Sequence, residues 1–373
     1  EQLPPVPDLR FPTELPNRPF LIDEYVHLDH EFGSPVHRFY QHQLQIDGGK
    51  LDKYVAWTNA GGIVMGYHET TTLPTYAYAR EYTLMDNFFH AAFGGSFLNH
   101  FWLICACSPT WPGAPADIVA QPQLDPAGRV VDLPKDGIVT PDGYAVNTAY
   151  PRYGPHPSNL AEDRLLPPQT MPTIGERLSV AGVSWAWYAG GWGDALAGRP
   201  DKNFKFHHQP FAFHTLYAGD ASAGRQHVRD ELEFFASLQQ GTLPAVSFIK
   251  PIGDDDEHPG YTDVHRGQQH VVDIIERVQG SSYWQSTAII VTYDEFGGYF
   301  DHVPPPVVDR WGPGNRVPTL VISPYARRGF IDHTLYDTTS ILKFIEWRFG
   351  LLPLGERDAA AANLLAAFDF GPE

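Results

Sequence analysis

Cationic side chains are scarce in this 373-residue chain. Its 26 Lys and Arg stand against 44 Asp and Glu, a formal charge of −18. Phosphate-backbone affinity comes from clustered Lys and Arg, so this balance argues against a nucleic acid or an anionic membrane surface as partner. It leaves a local pocket free to bind a small anion. No apolar run approaches the ~18 residues that read as a membrane span, so no stable membrane insertion is expected. The opening Glu1-Gln-Leu-Pro-Pro5 carries neither the basic nor the apolar stretch of a signal peptide. Cysteine is nearly absent, at two residues, Cys105 and Cys107. Two apart in a segment that reads as helix, they face away from each other and are expected as small buried side chains, not a disulfide. They leave the redox compartment undecided.

What is present is core-forming. Apolar residues make up 43% and aromatics 13%, enough for a large core and too much for a disordered chain. Gly and Pro, 34 of each, imply many turns and long loops. The length allows two domains or one large α/β domain. Residues 1–35 are Pro-rich and irregular. Helices are expected within 36–58, 73–89 and 96–107, the last strongly buried through Phe97, Leu98, Phe101, Trp102 and Ile104. Residues 108–172 form a loop-rich insertion or cap, with hairpin signals at Asp136-Gly137 and Pro141-Asp-Gly143. From 173 onward helices (173–181, 225–240, 267–279) alternate with strands (183–188, 245–249, 287–293, 317–323). The 287–293 run is continuously apolar, as central parallel strands are. A last helix is capped by Asp337 and closed by Gly350. The alternation predicts an α/β fold, a doubly wound, mostly parallel sheet with helices on both faces.

Ligands of such sheets sit beyond the carboxyl ends of the strands. Asp294 and Glu295 follow the 287–293 strand directly. Adjacent carboxylates repel unless a cation intervenes, and their hard oxygens suit a divalent metal; the plain alternative is an acidic turn. Ser96 follows Gly94-Gly95 at a helix start, where free N–H groups favour an alkoxide or phosphate; it is either a nucleophile or an N-cap. Asn99, one turn on, can aim its amide at the same anion or satisfy the helix end. His207-His208 are anion donors, metal ligands or a surface pair. His258 follows the acidic run Asp254–Glu257, which raises the basicity of a nearby imidazole or is a solvated loop. His68 alone carries little information. Together these residues suit metal-assisted group transfer.

Gly94-Gly-Ser-Phe-Leu-Asn-His100, Glu257-His-Pro-Gly-Tyr261 and Thr292-Tyr-Asp-Glu-Phe-Gly-Gly-Tyr-Phe-Asp-His-Val-Pro304 resemble the bacterial phosphoesterase family. That family includes phospholipase C and acid phosphatase A and belongs to the alkaline phosphatase superfamily. Val317–Tyr325 and Asp337–Glu346 match it too, and the resemblance runs from about residue 17 to the end, so 1–373 is expected to be a single phosphoesterase domain. It implies one divalent metal ion held by Asp294, Glu295 and Ser96, with Ser96 as nucleophile and His258 as a proton-transferring residue. It places Asn99, His207, His208 and His68 in substrate binding. The acid phosphatase carries an Asp-Asp pair where this chain has Asp294-Glu295. The family's phospholipases C carry Thr at the nucleophile position, so Ser96 points to the phosphatase branch. The family also begins with a strand ending in Glu-Asn-x-Ser-Phe-Asp, whose Glu and Asn bind the metal. This sequence holds no Glu-Asn dipeptide, so an N-terminal segment with two metal ligands is expected to be missing from it. A periplasmic or secreted location follows from the resemblance.

Three readings result. The first is an acid phosphatase acting on small phosphomonoesters through a phosphoserine on Ser96, with protonated histidines setting an acidic optimum. The second is a phospholipase C on phosphatidylcholine-type lipids, which needs an aromatic or acidic pocket for the quaternary ammonium. The third is a relative that binds without catalysing.

Overall fold

A computed structural model describes residues 19–31, 33–219 and 223–371. The expected α/β architecture is present, and its logic shows in the strand Trp185–Ala189. Side chains alternate across a strand. Trp185, Trp187 and Ala189 enter a core with Phe97 and Phe101 of the helix Ser96–Cys105, together with Ile174, Leu178, Phe211 and Phe213. Ala186 and Tyr188 face the other way, against Phe234 and Leu238 of the helix Glu231–Gln240 and Ile274 and Val278 of the helix Val264–Gln279. Both faces of the strand are therefore covered by helices. It is central in a three-stranded, all-parallel ladder, flanked by Val228–Asp230 and Val246–Lys250.

A second ladder runs Ile289–Thr292, Thr319–Ile322, Thr83–Met85, Phe330–Asp332. Here the expectation of parallel neighbours for the 287–293 run is corrected. Its partner among the described residues, Thr319–Ile322, is antiparallel, and an apolar run reports burial on both faces, not strand direction. Ile289 packs into the cluster of Ala186 and Tyr188, so the two ladders share a core. One buried cluster extends from Phe39 to Phe368.

The helix starts and stops follow local chemistry. Asp230 caps the 231–240 helix and Asp263 the 264–279 helix through side-chain oxygens. Asp337 caps Thr338–Phe349, which ends at Gly350 in the left-handed region. Two expectations fail locally. The helix from Ser96 ends at Cys105, because Ala106 turns left-handed with φ 49°. Cys107 thus lies outside the helix and is folded back onto Cys105 in a disulfide, with Cα atoms 5.2 Å apart. The helical separation that argued against pairing does not apply. Asp136-Gly137 is no hairpin either. The hairpin joins Gln121–Leu124 to Val130–Lys135 through Asp125–Arg129, while Asp136 receives the side chains of Arg38 and Gln41. The Pro141-Asp-Gly143 signal does mark a tight turn, bridged by Val139 and Ala145. Among the described residues no helix is long and apolar enough to cross a membrane.

Three glycines, Gly94, Gly95 and Gly298, admit the strap of residues 34–38. A Cβ on Gly94 (φ +86°) would stand 2.6 Å from the Phe39 nitrogen, and one on Gly95 would stand 2.9 Å from the His37 carbonyl oxygen. A Cβ on Gly298 (φ +88°) would meet Pro35 at 2.6 Å. The strap can cross the Ser96 helix start and the Asp294-Glu295 turn only because neither carries side chains there. Gly94→Ala is expected to cost on the order of 1–3 kcal/mol through the left-handed φ and the backbone collision. It should appear as a lower urea midpoint at unchanged slope, whereas an unchanged midpoint would show that the strap is not packed on this turn.

Candidate active site

The Ser96–Cys105 helix begins one residue earlier than a serine cap requires. Gly95, extended at φ −95° and ψ −176°, is the N-cap, and Ser96 is the first helical residue with no capping bond. Its hydroxyl is therefore free for another partner, and it donates to Glu295 Oε1 at 3.2 Å. The serine and the acidic couplet, about two hundred residues apart in sequence, do converge.

Behind them lies a charge that the motifs did not announce. Lys250, the last residue of the Val246–Lys250 strand, places Nζ 3.2 Å from Asp294 Oδ2, and His100 Nε2 is 3.4 Å from the same oxygen. Burial raises the Asp294 carboxyl, but Lys250, His100 and the Ser96 hydroxyl outweigh it and hold the group well below the usual carboxylate range. Burial works against the Lys250 ammonium, yet Asp294 and then Asp256 keep its pKa above the ordinary value. Glu295 has weaker compensation. Burial pushes it up, His37 at 3.8 Å opposes this, Asp294 adds to it, and the carboxyl settles at about 7. One acid of the couplet is thus ionised against lysine, and the other is poised to take a proton.

Ser96 opens into a cavity of about 280 Å³, lined also by His37, Arg38, Lys205, His207, His208, His258 and Tyr261. His258 Nδ1 faces its neighbour's carbonyl, Pro259 O, at 2.8 Å, so that nitrogen carries the proton and Nε2 of the neutral ring is an acceptor. Its backbone N–H donates to Asp256 at 3.0 Å. The acidic run does not make this ring more basic. Burial, and then the neighbouring His37, lower His258 to about 4. Asp256 and Glu257 instead build the loop, Glu257 accepting from Tyr293 and Gln268. Burial lowers His207 and His208 well below 6.5, and His100 to about 4. The expected population of protonated histidines, and the acidic optimum drawn from it, finds no support in so buried a cluster.

Two further assignments are corrected. The side chain of Asn99 does not reach the cavity. It accepts from Ala92 N at 2.9 Å and donates to the carbonyls of Ala92 and Gly95 at 3.0 and 3.1 Å, which ties the Gly94-Gly95 turn to its own helix. His68 is not among the cavity-lining residues either; its Nδ1 lies 2.6 Å from Asp23. Lys250, His37, His100, Lys205 and Tyr261 were missed as site residues. Lys250 was open to the rule that found Asp294, since it too ends a strand. His100 stands four residues after Ser96, on the same helix face. Nothing local marks Lys205 or His37.

The fit to a divalent cation is partial. Asp294, Glu295 and the Ser96 hydroxyl are hard oxygen donors, and a couplet in which one carboxyl is driven toward protonation is short of positive charge. Among the described residues, however, no three His, Cys, Asp or Glu form a group able to hold a metal ion.

Comparisons with known proteins give the family. Phospholipase C A of Mycobacterium tuberculosis is 27% identical over 391 residues, covering 94% of this chain and 65% of that protein. The non-hemolytic phospholipase C of Pseudomonas aeruginosa is 25% identical over 375 residues, covering 91% of this chain and 48% of that protein. The chain therefore spans less than two thirds of the length of these relatives. A solved structure from Vibrio parahaemolyticus, described as a protein in the alkaline phosphatase superfamily, aligns with TM-score 0.42 at 13% identity, covering 81% of this chain and 66% of its own. A model of the phosphoesterase family matches residues 10–352, a stretch that contains the serine turn, the basic wall and the acidic couplet, and this chain belongs to that family.

Proposed function

We propose that the chain hydrolyses phosphate monoesters through a phosphoserine on Ser96. The observation that carries this reading is the uncapped Ser96 hydroxyl, which donates to Glu295 at 3.2 Å while opening into a basic cavity. In the first step Ser96 Oγ attacks phosphorus in line as its proton passes to Glu295, and the bond to the leaving oxygen breaks. Charge on the phosphoryl oxygens is met by the helix N-terminus, by His207 and His208, and by the partly buried Lys250 behind Asp294. A seated phosphate dianion favours the charged form of nearby imidazoles. It thereby makes His258 an imidazolium whose Nε2–H protonates the leaving oxygen. In the second step water attacks the phosphoserine, gives its proton to His258, and Ser96 recovers its own from Glu295. A divalent ion bound to Asp294, Glu295 and Ser96 would supply further charge to lower the hydroxyl pKa.

The relatives named phospholipase C favour a second reading, cleavage of phosphatidylcholine-type lipids. Rates on phosphatidylcholine and p-nitrophenyl phosphate, measured side by side, separate the two.

Ser96→Ala is expected to reduce p-nitrophenyl phosphate turnover by roughly 10³-fold or more without altering the circular dichroism spectrum. Near-normal turnover would remove Ser96 as nucleophile. Lys250→Met strands the Asp294 carboxylate and removes a positive charge from the phosphoryl site. We expect kcat to fall by about 10²-fold, with partial recovery in Lys250→Arg. Loss of thermal stability at unchanged kcat would restrict Lys250 to a structural role.

A further inference from the structure

The wall of the cavity carries a second piece of recognition chemistry. The Tyr261 ring has the His258 imidazole stacked on it, with centroids 3.9 Å apart and planes 15° from parallel. The Lys205 ammonium stands 3.7 Å from the same centroid. Two groups this close to one ring centre, one of them a parallel ring, must occupy opposite faces. Tyr261 is therefore a spacer with both faces covered, between the imidazole proposed to protonate the leaving oxygen and a lysine one ring further out.

Lys205 is only half-exposed. Burial pulls its pKa down, and Asp256, Asp201 and Asp254 act on it only at a distance. Among the described residues its ammonium makes no salt bridge, although desolvating a cation without a carboxylate in contact is unfavourable. The rest of the cavity wall is lined by Arg38, which is paired with Asp136, and by the imidazoles of His37, His207 and His208, and no Asp or Glu lines it. Quaternary ammonium groups are bound by open aromatic faces or by acids. This wall offers no acid, and its tyrosine is already sandwiched by a stacked ring and a cation.

We propose that Lys205, held on Tyr261, is a leaving-group subsite for an anion. This rests on the phosphomonoesterase reading and sharpens it. The favoured substrates are phosphate monoesters whose leaving group carries a second anionic group, a carboxylate or a further phosphate, and choline phosphodiesters are disfavoured. Lys205 contacts the far end of the leaving group and takes no part in bond making.

The test uses the full chain and matched substrates. One arm compares 4-carboxyphenyl phosphate with its neutral isostere, 4-carbamoylphenyl phosphate. The other compares propane-1,3-diol bisphosphate with the monophosphate. The expected result is a kcat/KM preference of about tenfold for the anionic member in at least one arm, and which arm shows it identifies the anion. The preference should lie in KM and shrink as salt rises. It should collapse toward unity in Lys205→Met and return in part in Lys205→Arg. Equal kcat/KM within both pairs would overturn the subsite while leaving the phosphomonoesterase reading standing, since the neutral esters would still turn over. Retention of the preference in Lys205→Met, or turnover of p-nitrophenyl phosphorylcholine at the monoester rate, would also overturn it. Absence of turnover on all monoesters would remove the parent reading and the subsite together.

Discussion

Two adjacent carboxylates, Glu295 buried and Asp294 partly so, sit at the end of one strand, and the rest of the site is arranged around their charge. Asp294 is stabilised by a lysine from the neighbouring parallel ladder, at 3.2 Å. Glu295 has weaker compensation, from a more distant imidazole, a backbone amide and the Ser96 hydroxyl, so it leans toward its neutral form. Unequal compensation is what separates the roles of two chemically similar acids. The ionised one holds a cation in place, and the other can exchange a proton with Ser96. A couplet equally paired on both sides would be electrostatically stable and chemically idle.

Close approach of backbone segments is the second constraint. The strap of residues 34–38 runs over both the serine turn and the acidic turn, and each crossing takes place at glycine. That crossing brings His37 to Glu295 and to the edge of His258, with ring centroids 5.2 Å apart. Gly94, Gly95 and Gly298 therefore act on the site without touching a ligand. Asn99 belongs to the same framework, since its amide is spent on the turn it closes.

Burial decides the behaviour of the histidines. In open solvent an imidazole titrates near 6.5, and several near one another suggest an acid-loving site. Here desolvation and mutual repulsion keep them neutral, which makes substrate charge the switch that protonates them. The cavity is thus basic in potential more than in resting charge, apart from Arg38 and Lys205. A chain with a net charge of −18 still offers an anion a favourable pocket, because the acids near it are engaged in internal contacts and do not line its wall.

Hydrophobic alternation, cap residues and the position of Asp294 and Ser96 at element ends were legible in the amino-acid order, because each depends on neighbours within a few residues. The α/β class, the last helix from Asp337 to Gly350 and the family motifs all belong to that local information. The pairing of Cys105 with Cys107 was hidden, since it turns on a left-handed Ala106 at the helix end. So were the antiparallel partner of Ile289–Thr292 and the withdrawal of Asn99 and His68 from the cavity. Above all, Lys250 against Asp294 and Lys205 on Tyr261 are contacts between separate segments. Their energies depend on distance and desolvation, and only the folded chain sets either quantity.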